Sequence, residues 1–238
     1  MPLSAGSPRL WYEVAGPEGA PCILLIHGLQ NSLSYFDGFV SQLTSNFLCV
    51  RCDVRCHGRS DSVAARTDVE ELGRDLAAVM QSLGHHRYAV VGHSMGGAIA
   101  QQLALLFPSA VSALVLVATS SRVGGAARGL YEQAARHSEE SGLPGLAAVQ
   151  RAMGGYDFDK QLPSVKVPCL IVAGGQDSLA PVKASQILAR LLPHSELRVF
   201  ADAGHDVLSH NAEVPAVIEG WLRSALGGSG KLFQRGKL

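Results

Sequence analysis

The sequence predicts an α/β fold: a mostly parallel sheet flanked by helices, with a short helical lid inserted over it. Three observations carry that expectation. Short β-rich runs alternate with helical patterns over most of the 238 residues, which is the rhythm of strand–helix–strand units. The central runs, such as residues 22–26 and 111–118, are apolar almost without interruption, as strands are when helices cover both faces. Third, Gly92-His93-Ser94-Met95-Gly96 stands where the run Ala89-Val90-Val91 gives way to a helix-forming stretch. A strand turning sharply into a helix at a serine needs glycines beside it, because the turn is tight and its backbone strained.

Taken in order, residues 10–14 read as an early antiparallel edge strand, and residues 22–26 and 47–52 as buried strands. Residues 69–83 carry apolar side chains at Val69, Leu72, Leu76, Val79, Met80 and Leu83, a helical stripe. Residues 88–91 lead into the serine turn, and the helix after it runs to about Phe107, where Pro108 stops it. Strands follow at 111–118 and 167–173, a helix at 182–192, a short strand at 197–200 and a closing amphipathic helix at 212–226. Between them, residues 120–165 are richer in glycine and charge, with helical patches near 126–140 and 146–153. This stretch is expected as a reduced lid, dividing a core of residues 1–119 and 166–226. The tail, 227–238, opens as a Gly/Ser linker without periodicity and is left out of the fold.

Composition narrows the function classes. A chain of this length with 47% hydrophobic residues can build a sizeable core. Its formal net charge of zero leaves no electrostatic footprint for nucleic acid or an anionic membrane, so neither is expected as a partner. Residues 1–9 carry neither a basic segment nor a long apolar stretch, and the longest apolar runs are strand-sized. Neither a signal peptide nor a membrane span is therefore expected, and the expected location is cytoplasmic. Cys49 and Cys52 form a C-x-x-C with Cys56-His57 just beyond, so a metal site has to be weighed. Residues three apart on a strand face opposite sides, however, so these thiols should diverge. No metal is expected, and no dinucleotide fingerprint suggests an organic cofactor.

A serine hydroxyl is a weak nucleophile near neutral pH and needs a base within hydrogen-bond reach and a group to orient that base. His205 is the candidate base, because it follows the strand at 197–200 through Ala201-Asp202-Ala203-Gly204 and so reaches the carboxyl edge of the sheet. His210 is its rival, but it sits at the entry to the last helix with Asn211 as a cap. Asp177 is the candidate acid: it follows a strand directly, and Gly174-Gly175 let the chain turn over the sheet edge. Asp202 and Asp206 lie close to His205 along the chain, and Asp206 stays open as an alternative. The oxyanion donors expected are the backbone N–H groups of Met95, at a helix N-terminus, and Leu29, in the loop freed by Gly28, with the Gln30 side chain as an alternative. Gly28, Gln30 and His93 are placed as substrate-binding positions, with the His93 ring directed away from Ser94 and packed beside the turn. His27 should shape the loop after its strand. His57, His85, His86, His137 and His194 show no convergent context and are expected on the surface.

The chain from Leu10 to Leu226 resembles the α/β-hydrolase superfamily. Four motifs coincide in order: His27-Gly28, Gly92-His93-Ser94-Met95-Gly96, Asp177 after Ala173-Gly174-Gly175, and Gly204-His205. Asp53-Val54-Arg55-Cys56-His57-Gly58-Arg59-Ser60 looks like the family's Asp-x-Arg-Gly-His-Gly-x-Ser turn, with Cys56 in place of the usual glycine. Within the superfamily the pattern is most similar to 3-oxoadipate enol-lactonases and related small esterases, although the lid is shorter. The resemblance implies an α/β-hydrolase fold and a serine hydrolase that cleaves a small-molecule carboxylic ester or lactone through an acyl-enzyme on Ser94, without a cofactor. Two alternatives stand beside it: hydrolysis of a carbon–carbon bond in a diketone-type ring-cleavage product, and a non-catalytic ligand-binding homologue. Dehalogenase or epoxide-hydrolase chemistry is disfavoured, because those relatives carry an aspartate where Ser94 stands.

Overall fold

The computed structural model describes Ser4 and residues 8–227. Its seven-stranded sheet consists of β1 (Tyr12–Ala15), β2 (Cys22–Ile26), β3 (Leu48–Cys52), β4 (Tyr88–His93), β5 (Val111–Val117), β6 (Cys169–Gly174) and β7 (Ser195–Phe200). The strands lie in the order β1-β3-β2-β4-β5-β6-β7. Only β1 is antiparallel, pairing with β3 along the edge; β3-β2-β4-β5-β6-β7 are parallel throughout. The connections are α1 (Asp37–Leu43), α2 (Val69–Ser82), α3 (Met95–Leu106), α4 (Gly125–Glu140), α5 (Pro144–Met153), α6 (Val182–Leu191), the short α7 (Val207–His210) and α8 (Glu213–Leu226).

Two apolar layers hold the sheet, and the strand period of two decides which residue joins which layer. Leu24, Ile26, Val50, Cys52 and Val90 pack with Leu72, Leu76, Ile99 and Leu103 of α2 and α3. Ile23, Leu25, Cys49, Val91 and Val115 pack on the other side with Phe39 and Leu43 of α1 and Ile218 and Trp221 of α8. Cys49 and Cys52 therefore end in opposite cores, as their spacing on one strand requires. Burial pushes the Cys49 thiol up to about 12 and Cys52 higher still, so both are inert. Among the described residues no three His, Cys, Asp or Glu side chains gather as a metal site, and no helix is long and apolar enough to cross a membrane.

The helices follow their expected starts and stops. Asp68 caps α2 by accepting the Glu71 N–H at 2.9 Å. In the stretch 120–165 the two helical patches are α4 and α5; α5 starts at Pro144, a residue suited to a first helical position. One connection escaped the sequence pattern: residues 33–43 form a 3₁₀ turn, Leu33–Phe36, running into α1. Beyond the single turn it buries through Phe39, Val40 and Leu43, too little of the helical period repeats to be recognised. His57 also departs from expectation. It is buried at 5% exposure, with Nδ1 donating to the Arg55 carbonyl at 3.0 Å. The tail assignment, apart from Gly227, falls outside the described residues.

Asp53 organises the turn after β3. Its Oδ1 accepts the Leu33 N–H at 2.7 Å and its Oδ2 the Arg59 N–H at 2.8 Å, joining the β2 and β3 loops. Gly58 makes this possible: it sits at φ +52°, and a Cβ there would stand 2.1 Å from Asp53 Oδ2. Gly58→Ala should therefore displace the carboxylate and lower unfolding free energy by about 3 kcal/mol in urea titration. An unchanged midpoint would contradict the hub role of Asp53. Cys56, in place of the usual glycine, does occupy the left-handed region at φ +63°. Its Sγ accepts the Val63 N–H at 3.4 Å and lies where a side chain on Gly145 of α5 would have to go.

Candidate active site

The glycines of the serine turn are a steric requirement. A Cβ on Gly92 would lie 2.2 Å from the Gly96 carbonyl oxygen, and one on Gly96 2.0 Å from that of Ile26. Between them Ser94 takes φ +52°, ψ −113°, a strained conformation for a residue with a side chain. The strain is held by hydrogen bonds on both sides: Ser94 N–H donates to Val117 O at 2.9 Å, while Ser94 O accepts Gly97 N–H at 2.9 Å, Thr119 Oγ1 at 2.8 Å and Ala98 N–H at 3.3 Å. The hydroxyl is left at the mouth of the turn, and Met95 opens α3 with a first-turn N–H that has no acceptor among the described residues.

His205 and Asp177 arrive from the loops after β7 and β6. Those loops pack backbone on backbone, since a Cβ on Gly174 would meet Gly204 O at 2.2 Å and one on Gly175 would meet Ala201 O at 2.4 Å. By contrast, Gly204 faces open space, so the glycine before His205 is not demanded by packing. His205 Nε2 lies 3.0 Å from Ser94 Oγ, and its Nδ1 lies 2.8 Å from Asp177 Oδ2. The other Asp177 oxygen accepts the Leu179 and Ala180 N–H groups, each at 2.8 Å. Burial would push the Asp177 carboxyl up, but the hydrogen bonds from His205, Ala180 and Leu179 outweigh it and hold the group below the ordinary carboxylate range. The serine, base and acid chosen from the sequence thus form one unbroken hydrogen-bonded chain.

The rivals stand elsewhere. His210 is exposed in α7, and Asn211 accepts the Glu213 N–H at 3.0 Å at the entry to α8. Asp202 is exposed, and Asp206 approaches His93 Nε2 at 4.0 Å rather than holding His205 Nδ1. His93 is 2% exposed; its ring stacks on Tyr35 at 4.5 Å, and Nε2–H donates to the His205 carbonyl at 3.1 Å. Burial pushes it down to about 4, so it is a neutral strut tying the His205 loop to the elbow, with one edge on the cavity. Gly28 lies directly against it, because a Cβ there would be 2.9 Å from His93 Nδ1. His27 shapes that loop as expected, donating from Nδ1 to Gly28 O at 2.7 Å.

A cavity of about 460 Å³ opens over Ser94 and His205. Gly28, Leu29, Gln30, His93 and Met95 all contribute to its wall. Gln30, at φ +59°, is exposed at the edge. α4 and α5 contribute further lining, including Leu130, Tyr131, Gln150 and Met153. None of these four was legible as a wall residue, because a helix pair's orientation over a sheet leaves no local signature. A wider cleft of about 750 Å³ lies between α5 and the start of α2 and contains none of Ser94, Asp177 or His205.

Residues 21–139 and 145–212 match the family described as alpha/beta hydrolase fold. Among curated proteins, the chain is 28% identical over 226 residues to "Putative carbamate hydrolase RutD" of Cronobacter sakazakii, covering 79% of this chain and 84% of that one. It is 24% identical over 237 residues to 3-oxoadipate enol-lactonase 2 of Acinetobacter baylyi, covering 85% and 88%. Among solved structures, the enol-lactonase from Burkholderia xenovorans superposes with a TM-score of 0.81 at 23% identity, covering 95% of this chain and 100% of that one. A thermophilic esterase from Thermogutta terrifontis gives 0.85 at 24% identity, covering 93% and 97%. With its sheet order, its strained serine turn and a family match across most of its length, the chain belongs to the alpha/beta hydrolase fold family.

Proposed function

We propose that the protein is a serine hydrolase that cleaves a carboxylic ester or lactone through an acyl-enzyme on Ser94. The observation that carries this reading is the chain Asp177–His205–Ser94, closed at 2.8 and 3.0 Å beside an open cavity. Ser94 Oγ attacks the substrate carbonyl while its proton passes to His205 Nε2. Asp177, accepting Nδ1–H, keeps the ring in the tautomer that can receive this proton and stabilises the imidazolium. The N–H groups of Leu29 and Met95 hold the oxyanion; neither has a protein acceptor among the described residues, and one such donor contributes about 3 kcal/mol to the transition state. Collapse expels the alcohol, which takes the proton from His205. Water, deprotonated by the same nitrogen, then releases the acid and restores Ser94.

Covalent labelling tests the reading directly. A fluorophosphonate should add one phosphonyl group to the intact protein, located on the Ser94 peptide by mass spectrometry, and none to Ser94→Ala. An unlabelled native protein would favour a binding role over catalysis. Parallel assays with an ester and a vinylogous diketone decide between carbon–oxygen and carbon–carbon cleavage, with the ester expected to turn over.

A further inference from the structure

The cavity that Ser94 lines carries, on α5, a polar group that the proposed chemistry does not use. Gln150 of α5 lines the cavity and is 1% exposed, yet its Oε1 has no hydrogen-bond partner among the described residues. A buried carbonyl oxygen left without a protein donor is unfavourable, and a ligand that supplies a donor relieves that cost. Apart from the Tyr131 hydroxyl, its surroundings in the wall are apolar or already satisfied. Ala127, Leu130, Ala134 and Met153 are apolar, and the Tyr156 hydroxyl is bonded to Ser120 Oγ at 2.9 Å.

Charge sharpens the choice of ligand. Among the described residues the cavity wall contains no lysine or arginine. The nearby arginines of the same segment are committed elsewhere: Arg122 pairs with Asp159 at 3.3 Å, and Arg128 donates to Gly154 O at 3.1 Å. His93 is kept neutral by burial, and Asp206 contributes a carboxylate to the rim. A substrate carboxylate entering here would be desolvated with no counter-charge. The mouth is apolar as well, with Leu130 and Leu179 exposed at 65% and 73%.

Resting on the serine-hydrolase reading, we infer that the preferred substrates are uncharged esters or lactones whose chain carries a hydrogen-bond donor, an amide N–H or a hydroxyl, received by Gln150 Oε1. Esters of dicarboxylic acids, with their second carboxylate, are selected against. Gln150 is thus a specificity residue in the cavity wall, and the Leu130–Leu179 mouth admits a neutral chain.

Three p-nitrophenyl esters of nearly equal length provide the test. The 4-acetamidobutanoate and the 6-oxoheptanoate differ only by N–H in place of CH₂, and the hydrogen adipate ends in a carboxylate. Native protein should show kcat/KM at least about 10-fold higher for the acetamido ester than for either of the others. In Gln150→Leu the acetamido-to-oxo ratio should fall to within about twofold. A ratio taken within one variant does not depend on how much of it folds, and Gln150→Met serves the same purpose should the leucine variant fail to fold. Equal rates for the acetamido and oxo esters in native protein, a ratio that survives in the variant, or a preferred adipate would each overturn the inference. Such results with turnover still lost in Ser94→Ala would leave the serine mechanism standing; turnover retained in Ser94→Ala would remove the mechanism itself.

Discussion

Ser94→Ala is expected to lower kcat on p-nitrophenyl butyrate by about 10⁶-fold, and Asp177→Asn by about 10⁴-fold, with little change in KM. The first number follows from deleting the nucleophile. What remains is the contribution of the oxyanion donors and of binding, and adding His205→Ala to Ser94→Ala should cost little more, because the two residues act as a unit. The second follows from the hydrogen-bond pattern around the carboxylate. Asp177 Oδ1 accepts two backbone N–H groups, from Leu179 and Ala180, so an asparagine must keep its oxygen on that side. Its NH₂ is then forced toward His205 Nδ1, which can accept only if the ring proton moves to Nε2. The nitrogen facing Ser94 Oγ would then be protonated and unable to take the hydroxyl proton. Release of p-nitrophenolate measures both effects, with thermal melts confirming that each variant is folded. An Asp177→Asn enzyme within tenfold of native would mean that the base is oriented by something other than this carboxylate.

The residues of that chain were legible in the sequence for a steric reason. Gly92, Gly96, Gly174 and Gly175 each stand where a Cβ would fall within 2.4 Å of a backbone oxygen, so the backbone geometry that presents Ser94, Asp177 and His205 is written in residue type. The sheet was legible because strands covered on both faces read as continuous apolar runs. Signals were weaker wherever the structure depends on distant packing. α1 is seven residues long and buries three of them. His57 is buried through contacts in the Asp53 turn rather than by any pattern around it. Gln150 sits in an amphipathic helix whose sequence gives no hint that one buried polar residue lines the cavity beside Ser94. Such placements arise from how α4 and α5 lie across the sheet, a property of long-range packing that local periodicity does not encode.

Acid should begin to destabilise the protein above the range in which carboxylates titrate, chiefly through two histidines that the fold holds neutral. Burial pushes His27 from its ordinary 6.5 down to about 3, with His57 nearby adding to the effect, and pushes His93 down to about 4. The hydrogen bonds explain why neither ring welcomes a second proton. His27 Nδ1–H donates to Gly28 O, and its Nε2 accepts the Val54 N–H at 3.0 Å, so protonation would set two donors against each other. His93 donates from Nε2 to His205 O, and its Nδ1 is buried without a partner among the described residues. Because both folded values lie below the unfolded value, the unfolded chain binds more protons as pH falls below about 6.5, and stability falls with it until the folded values are reached. At pH 4.5 the two sites together should have removed on the order of 5 kcal/mol. Asp75 opposes this in part: burial raises its carboxyl despite the bonds from Arg55, so its folded form takes up a proton earlier than the unfolded chain does. One such group offsets less than two histidines supply, and a loss of this size is comparable to the whole stability of many domains. Urea titrations from pH 7.5 to 4 should therefore show the midpoint falling steeply below pH 6.5. The fall should be shallower in His27→Gln, which removes one titrating site while keeping an amide near Gly28 and Val54. A midpoint that stays flat down to pH 4.5 would mean that one or both rings are protonated in the folded protein, and that the bond patterns around His27 and His93 are not those that set their charge.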